Sequence, residues 1–488
     1  MASRICILAR LLDNPNTSDS RYAISQSAIT EADKDNNCRR VLVITYYWPP
    51  SAGSGVQRWL KTVKYLRAYG YEPVVYTVSN SQFELRDDAL LAEIPEGIEV
   101  IREPIWEPFD LYNKFMGKGQ KATTNVNPLY VGKGQQSSWK SRLAIWVRSN
   151  LFVPDTRMFF INPSVAYLVN YLKEHPVEAI VSTGPPHSMH VIALKLKRKL
   201  KKRGVNLPWL ADFRDPWTQI GFYQELKLSS FARRKHESLE QGVLTEADAV
   251  VAVSHAMATD MDTLVKPPYK PLRTLVIHNG YDEADFVFEA DPTPDKKFTI
   301  TYVGMLGYPR NHQVFWQVLQ ELVQTNKDFA AALQLHFYGK VDPVVQESAQ
   351  AFGLTPWLDF RAYQPHHQIL ETQRSSQVLL LMIDRVNNAN GILTGKIFEY
   401  LALRRPVLCI GPEGGDAQQV LIDTGAGLFS GYDDAAMLKA NILALFDAYQ
   451  SGTPICQSQG YQQYSRKALA GKFAAVLDGL VGVNQSKN

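Results

Sequence analysis

The sequence predicts an α/β fold in which two Rossmann-like domains, each a doubly wound parallel sheet, face each other across a cleft. From residue 39 onward, short β-branched runs alternate with helical segments. The alternation stops at one acidic, proline-containing segment and then resumes. Strands joined by helices pair in parallel with helices on both faces of the sheet, and ligands bind at the carboxyl ends of such strands.

The composition excludes several classes of protein. The chain has 488 residues, of which 45% are hydrophobic, and a formal net charge of +4. This length supports two or three domains, and so small a charge does not indicate a nucleic-acid-binding protein. The four cysteines form no CxxC pair, which argues against a disulfide framework and favours a reducing cytoplasm. No apolar run approaches the roughly 18 residues that span a bilayer.

The chain divides into five predicted segments. Residues 14–37 are polar and lack periodicity, so we expect a disordered extension, and its place in the functional protein stays open. The segments are this extension at 1–38, an N-terminal domain at 39–285, a linker at 286–297, a C-terminal domain at 298–463, and a terminal helix with its tail at 464–488.

Strands are predicted in both domains. In the first domain they lie at 41–45, 73–78, 98–102, 178–183, 208–213, 248–253 and 273–278. In the second domain they lie at 298–303, 333–338, 377–383 and 406–410. The helix after the first strand has apolar residues at helical spacing, so one face can pack on a sheet: Val56, Trp59, Leu60, Val63 and Leu66.

A glycine loop with Gly53 and Gly55 joins the first predicted strand to its helix. Such a loop lets backbone N–H groups approach a phosphate or a sugar, helped by the positive end of the helix. A tight turn that uses glycine for geometry alone is an equal alternative.

His187 follows the strand at 178–183 and lies off the apolar face of the next helix, so we expect it to face the cleft. A histidine there can orient a substrate. His190, three residues later, suggests a metal pair, but the nearby sequence offers no third ligand and we do not favour this alternative.

Asp212, Arg214 and Asp215 gather at the end of the strand at 208–213. Two carboxylates and a guanidinium at a strand end fit the acceptor side of an active site. A structural ion pair is as good an interpretation.

The strongest local signal in the second domain is the helix start with Thr394, Gly395, Lys396 and Glu399. The threonine can cap the helix, the glycine admits a phosphate, the lysine adds a cation, and the glutamate can accept hydrogen bonds from ribose hydroxyls. Together they describe a seat for a nucleoside diphosphate. A capped amphipathic helix, whose early glutamate complements the helix dipole, is the alternative.

The loop with Gly304, Arg310 and Asn311 follows the first strand of the second domain. Arg310 can offer a forked donor to a pyrophosphate, although a solvated loop arginine is the commoner case. The DxD matches, Asp33 with Asp35 and Asp260 with Asp262, lie in the extension and in a probable helix, so we predict no obligatory metal or other cofactor.

Two basic stretches, 139–152 and 195–203, are candidates for contact with a membrane surface. The first interleaves tryptophan and phenylalanine with lysine and arginine, which suits an anionic lipid surface. The stretch 195–203 has seven cations in nine residues, but a solvated helix face is the commoner explanation of such a run, so 139–152 is the better candidate.

Six motifs run through residues 40–480: YYWPPSAGSGVQRWLKTVKYL, STGPPHSMH, ADFRDPW, VIHNGYD, a G-x-L-x-x-x-R-N loop and TGKIFEYLALRRPVLCIGP. In this order they resemble bacterial GT-B glycosyltransferases of the family 4 type, particularly those of surface-polysaccharide clusters. The resemblance implies retaining transfer of a sugar from a nucleotide donor, held mainly by the C-terminal domain, to an acceptor held by the N-terminal domain.

Carried over by position, Glu399 matches the second acid of the family's E-x7-E motif, which holds the ribose. Gly391 stands where the first acid belongs, so the identity of the donor sugar is open. Met305 replaces an arginine of the loop, and Lys396 can supply that charge. The resemblance thus implies catalytic roles for His187, Arg310 and Lys396. Its implied donor-binding residues are Gly53, Gly55, Gly304, Asn311, Thr394, Gly395 and Glu399.

The cysteine content favours a cytoplasmic protein, and the two basic stretches make the inner face of the cytoplasmic membrane a candidate site of action. A UDP-sugar is the favoured donor, and a glycan or a lipid-linked molecule is the expected acceptor. A nucleotide-sugar epimerase of similar architecture and a non-catalytic assembly scaffold stay open as alternatives. A dinucleotide oxidoreductase is disfavoured because the GxGxxG fingerprint is missing.

Overall fold

The computed structural model describes residues 38–80, 86–106, 146–221, 223–265, 267–269 and 273–485. Within these residues, the chain forms a seven-stranded sheet of order β3-β2-β1-β4-β5-β6-β7 and a six-stranded sheet of order β10-β9-β8-β11-β12-β13. The strand pairs within both sheets are parallel. The predicted architecture of two doubly wound parallel sheets is confirmed.

The strands of the first sheet are β1 Arg39–Ile44, β2 Tyr71–Val78, β3 Glu99–Glu103, β4 Ala179–Gly184, β5 Trp209–Phe213, β6 Ala249–Ala252 and β7 Leu275–Val276. Those of the second sheet are β8 Phe298–Val303, β9 Leu333–Tyr338, β10 Leu358–Arg361, β11 Val378–Met382, β12 Val407–Gly411 and β13 Gly427–Gly431.

Helices cover the faces of both sheets. Those of the N-terminal domain are α1 Ser54–Leu66, α2 Met158–Glu174, α3 Ser188–Lys201, α4 Ser230–Glu246 and α5 His255–Asp262. The others are α6 Gln313–Thr325, α7 Lys327–Ala332, α8 Pro343–Ala351, α9 His366–Ser375, α10 Gly395–Leu403, α11 Asp416–Thr424, α12 Ala435–Ser451 and α13 Arg466–Gln485. None of these helices combines the length and the apolar character that crossing a bilayer requires.

The terminal helix α13 returns to the N-terminal domain and completes its core. Phe473 of α13 packs on Trp59 of α1 with ring centroids 5.0 Å apart, and both side chains are buried. Leu469 and Leu477 join the same cluster as Val63. The apolar face that the sequence predicted for α1 is therefore buried, but between the sheet and a helix from the far end of the chain.

A buried acid ties the segment between the domains to α1. Asp282 accepts hydrogen bonds from Lys64 at 2.9 Å and from the Tyr65 hydroxyl at 2.5 Å, and its carboxylate lies 2.8 Å from Lys61 Nζ. Burial alone would raise the pKa of Asp282, but these hydrogen bonds outweigh it and hold the pKa below its usual range. The chain thus leaves the N-terminal domain at an anchored point.

Candidate functional site

The candidate site lies where the strand order of the second sheet reverses, between β8 and β11. At such a switch point the loops after neighbouring strands diverge and leave a crevice at the carboxyl ends. The Gly304 loop follows β8, and α10 follows the loop after β11. Two regions that the sequence singled out separately are therefore adjacent in the fold.

Lys396 and Arg310, which we call the cation pair, converge on Tyr302 of β8. Lys396 Nζ donates to the Tyr302 hydroxyl at 3.1 Å, and Arg310 donates to the same oxygen at 3.2 Å. Arg310 also donates to Asp384 at 2.8 Å. Burial lowers the pKa of Lys396, and Arg310 adds to this effect although Tyr302 opposes it.

Gly304 makes room for the lysine. Its φ angle of 106° lies in the left-handed region that favours glycine, and a Cβ there would lie 2.9 Å from Lys396 Nζ. A side chain at residue 304 would therefore strain the backbone of this loop and displace the end of the lysine.

The N-terminus of α10 has no side-chain cap. Thr394 occupies the N-cap position, but its hydroxyl oxygen is buried without a hydrogen-bond partner and caps no N–H group. The prediction that Thr394 caps this helix is therefore wrong. Gly395 is exposed, and a Cβ there would meet no atom within 4 Å. The first N–H groups of α10 and the positive end of its dipole thus face open space beside Lys396, an arrangement that suits an anion.

Glu399 lies one turn along α10 and faces α9. Its Oε1 atom lies 3.4 Å from Nε2 of His366, the first residue of α9. The hydrogen bond to Glu399 raises the pKa of His366, although burial opposes this shift. The sequence did not single out His366, because only the packing of α9 on α10 brings it to the glutamate.

The side chain of Asn311 makes its hydrogen bonds within the C-terminal domain. Its amide nitrogen donates to Ser348 at 2.8 Å, and its amide oxygen accepts a hydrogen bond from Trp316 at 2.8 Å. Both polar atoms of its side chain thus join the loop to α6 and α8, and the donor-binding role of Asn311 stays a prediction.

In the N-terminal domain, His187 is half-buried at the start of α3. Its ring stacks on Trp217 with centroids 4.5 Å apart and planes 1° apart, and its Nδ1 atom is buried without a hydrogen-bond partner. Burial, with smaller effects from His190 and His236, lowers its pKa well below the usual value, so the ring is neutral near pH 7.

Asp212 is fully buried in an ion pair with Arg58, whose guanidinium approaches it to 2.7 Å. Trp59 donates to the same carboxylate at 2.7 Å and Thr183 at 2.9 Å. Burial would raise the pKa of Asp212, but the charge of Arg58 and these hydrogen bonds lower it. Of the two interpretations of Asp212, these contacts support the structural ion pair, because the carboxylate is fully buried. A role of Asp212 on the acceptor side stays a prediction.

Arg214 forms hydrogen bonds with two segments that meet at the carboxyl ends of the first sheet. It donates to the Gly55 carbonyl oxygen at 2.6 Å, and it also donates to the carbonyl oxygens of Gly184 and Pro185. The N-terminus of α1 and the loop before α3 are thereby held together. Asp215, the next residue, is exposed.

Gly391 lies at the contact between the two domains. Its carbonyl oxygen accepts a hydrogen bond from the Ser254 hydroxyl at 2.8 Å. A Cβ at this position would lie 3.1 Å from that hydroxyl oxygen and 3.2 Å from the backbone nitrogen of Met257. A side chain at residue 391 therefore requires the N-terminus of α5 to shift slightly.

Part of the predicted membrane surface, residues 139–145, lies outside the described residues. Next to the described part of this stretch, residues 146–152, the rings of Trp106 and Phe159 form an edge-to-face pair with centroids 4.7 Å apart. Trp106 is 60% exposed and Phe159 is 39% exposed. The ring centroid of Phe152 lies 6.0 Å from that of Phe159. In the second stretch, Lys197 pairs with Asp248 and Arg198 with Glu246. The exposed cations of that stretch include Lys199, Lys201, Lys202 and Arg203.

Metal ligands do not gather in the described part of the chain: no three His, Cys, Asp or Glu side chains come together there in a way that would hold a metal ion. The absence of an obligatory metal stays a prediction.

Solved structures resemble this chain over nearly its whole length. A glycosyltransferase from Rickettsia africae is 13% identical, with a TM-score of 0.56 over 91% of this chain and 99% of that one. HepE of Anabaena, solved with UDP-glucose, is 13% identical, with a TM-score of 0.54 over 92% of this chain and 100% of that one. The lipopolysaccharide outer core galactosyltransferase WaaB is 12% identical, with a TM-score of 0.53 over 90% and 99%.

The chain therefore has the GT-B architecture that the sequence predicted, two Rossmann-like domains across a cleft. At such low identity the likeness concerns the fold. Neither a protein-family model nor a curated protein matches the sequence.

Proposed function

We propose that this protein is a glycosyltransferase that moves a sugar from a nucleotide-diphosphate sugar to a glycan or lipid-linked acceptor. One observation carries the proposal: the cation pair lies beside the uncapped N-terminus of α10, one helical turn from Glu399. We call Lys396, Arg310 and this helix start the diphosphate seat. A diphosphate needs positive charge and N–H donors, and a ribose needs a hydrogen-bond acceptor next to them.

The diphosphate seat also fits the chemistry of transfer. When the bond between the anomeric carbon and the phosphate oxygen breaks, the leaving diphosphate gains negative charge. Fixed cations and helix N–H groups stabilise that charge more in the transition state than in the bound donor. Lys396 and Arg310 therefore act as the catalytic cations of the proposal.

The proposed transfer is retaining. The acceptor oxygen bonds to the anomeric carbon on the face that the diphosphate leaves, and the acceptor proton passes to the leaving phosphate oxygen. No side chain needs to act as a nucleophile in this scheme. His187, neutral and fixed by Trp217, fits a group that orients the reacting sugar by hydrogen bonding.

We favour a UDP-sugar donor and a role in surface polysaccharide synthesis of the family 4 type. The similar structure of HepE was solved with UDP-glucose, and WaaB is a galactosyltransferase of the lipopolysaccharide outer core. Gly391 leaves the donor sugar unspecified, because no side chain there can contact it.

A peripheral contact with anionic lipid belongs to the same proposal. The exposed pair of Trp106 and Phe159 and the exposed cations at the end of α3 support it. Exposed aromatic rings and exposed basic side chains each favour binding to the interface of an anionic bilayer. In this proposal the enzyme acts in the cytoplasm, at the inner face of the membrane.

The test is release of nucleotide from UDP-, GDP- and ADP-sugars by the purified full chain, with and without a lipid-linked acceptor extract and in the presence of a chelator. We expect release from one donor that depends on the acceptor and survives chelation. Lys396→Met should abolish it. Lys439→Met, which removes a partly exposed lysine paired with Glu321 in the same domain, should leave it intact.

Two other outcomes would contradict transfer. Conversion of a donor without nucleotide release would establish the epimerase. Nucleotide binding without conversion in any combination would favour the non-catalytic scaffold.

A further inference from the structure

The cation pair shares one oxygen atom, the hydroxyl of Tyr302. Lys396 and Arg310 both donate to it, at 3.1 and 3.2 Å. The hydroxyl donates its own proton to the Met305 carbonyl oxygen at 2.8 Å. Because this proton is used at Met305, the two lone pairs of the phenol oxygen are left for the two cations.

Tyr302 is much more firmly held than the side chains it contacts. It lies on the central strand β8 and is 1% exposed. Its ring also lies under the lysine, with Lys396 Nζ 4.2 Å from the ring centroid. Lysine and arginine side chains have several rotatable bonds, so a fixed acceptor removes much of their freedom before a ligand arrives.

Burial raises the pKa of Tyr302, but the charges of Lys396 and Arg310 outweigh burial and lower it. The phenol proton is nevertheless in place, because the Tyr302 oxygen lies 2.8 Å from the Met305 carbonyl oxygen and two oxygens at that distance share a hydrogen. The acceptor therefore carries no charge, and this matters for the charge of the seat. A carboxylate at the same place would hold the two cations equally well, but it would cancel charge that a diphosphate needs. Asp384 already pairs with Arg310 at 2.8 Å. A second acid would leave the seat with little net positive charge.

We propose that Tyr302 is a positioning residue that sets the direction and spacing of Lys396 and Arg310 for the two phosphoryl groups of a diphosphate while leaving their charge available. This inference rests on the proposed function, because it assigns the residue that organises the same seat. The sequence did not indicate Tyr302, since an aromatic residue in an apolar strand is expected to be core.

The test compares Tyr302→Phe, which keeps the ring and removes the hydroxyl, with Tyr449→Phe. The Tyr449 hydroxyl donates to the Lys296 carbonyl oxygen at 2.7 Å in the same domain, outside the seat. Titration calorimetry of the full chain with inorganic pyrophosphate, UDP and uridine gives the affinities. We expect Tyr302→Phe to bind pyrophosphate and UDP about tenfold more weakly, as expected for a lost hydrogen bond to charged groups. Uridine affinity should not change, and Tyr449→Phe should match the wild type with all three probes.

The outcomes separate this inference from the proposed function. If the wild type and Tyr302→Phe bind pyrophosphate and UDP equally, Tyr302 does not position the cations, although the nucleotide site stands. If uridine affinity falls by the same factor as UDP affinity, the residue has only a structural role and the inference is overturned. If the substitution weakens pyrophosphate but the wild type binds no nucleotide, the positioning role stands and the proposed function fails. If the wild type binds neither pyrophosphate nor UDP, both fail.

Discussion

The carboxylate of Asp416 in the C-terminal domain accepts a hydrogen bond from the backbone N–H of Ala256 in the N-terminal domain, at 2.9 Å. It also accepts one from the N–H of His255 at 3.2 Å. His255 is the first residue of α5, so a carboxylate from one domain binds the positive end of a helix in the other. Ser254, just before α5, bonds to Gly391 beside it. Together these contacts close one side of the cleft.

Asp416→Ala should loosen the closed arrangement. A carboxylate at a helix N-terminus contributes about 0.5–2 kcal/mol, and here this stabilisation favours closure over opening. We expect a larger radius of gyration by small-angle X-ray scattering and a raised KM for the donor.

The control for this variant lies on the same helix. Asp423 of α11 is exposed, and its carboxylate accepts a hydrogen bond from Gln419 of its own helix at 2.7 Å. Asp423→Ala should scatter like the wild type. Equal scattering and equal KM for Asp416→Ala would show that the contact does not hold the domains together.

The contact between the domains was not predictable from the sequence. Asp416 follows a glycine-rich turn and looks like an ordinary acidic residue in the first turn of a helix. Its partners are backbone groups about 160 residues earlier, and backbone N–H groups leave no signal in the sequence. By contrast, the central strands were predicted within a few residues, because strands covered on both faces form continuous apolar runs.

The ion pair of Asp212 and Arg58 predicts a large effect on stability. Replacing one member of a buried pair leaves the other charge without compensation, which costs about 3–5 kcal/mol. Asp212→Asn should therefore lower the free energy of unfolding, measured by urea denaturation, by several kcal/mol. Asp215→Asn, three residues later and exposed, should stay within about 0.5 kcal/mol of the wild type. If Asp212→Asn is as stable as the wild type but no longer transfers sugar, this carboxylate has a direct role in the transfer reaction.

Removal of the Glu399 carboxylate should weaken nucleotide binding. Charged hydrogen bonds contribute on the order of 1.5–3 kcal/mol, so Glu399→Ala should weaken nucleoside diphosphate binding by roughly tenfold to a hundredfold. Glu371→Ala on the neighbouring helix α9, where the carboxylate pairs with Arg374 at 3.0 Å, is the control and should bind normally. Unchanged affinity in a folded Glu399→Ala protein would remove the ribose assignment.

The missed strands β10 and β13 lie at the two edges of the second sheet. Most of their residues are only partly buried, so neither forms the apolar run by which a strand is recognised.

The residues of the diphosphate seat were predicted only in part, for a related reason. Lys396, Arg310 and Glu399 carry charge that draws attention to them, whereas Tyr302 and His366 gain their importance only from what packs against them.

The exposed aromatic pair predicts vesicle binding. The double variant Trp106→Ala with Phe159→Ala should bind anionic vesicles on the order of tenfold more weakly in a sedimentation assay, since two interfacial rings are lost. Nucleotide affinity should not change. Replacing Ile422 and Met437, exposed apolar residues of the C-terminal domain, by alanine is the matched control. If both double variants bind vesicles like the wild type, the aromatic pair is not a membrane contact.

The difference in stability between the wild type and a variant without His366 should depend on pH. Its folded-state pKa is raised, first by the hydrogen bond to Glu399, with Asp285 adding to it and burial and Lys61 opposing it. A raised pKa stabilises the fold fully below the unfolded pKa of about 6.5, and this contribution is lost as the pH rises through the folded pKa. His366→Gln should therefore lower the Tm relative to the wild type more at about pH 5.5 than at about pH 8.5. His367→Gln, which changes the next residue and leaves the contact of His366 with Glu399 intact, is the control and should change the Tm little. A His366→Gln effect that is equal at both pH values, or larger at the alkaline one, would mean that the imidazolium form does not pair with Glu399 in solution.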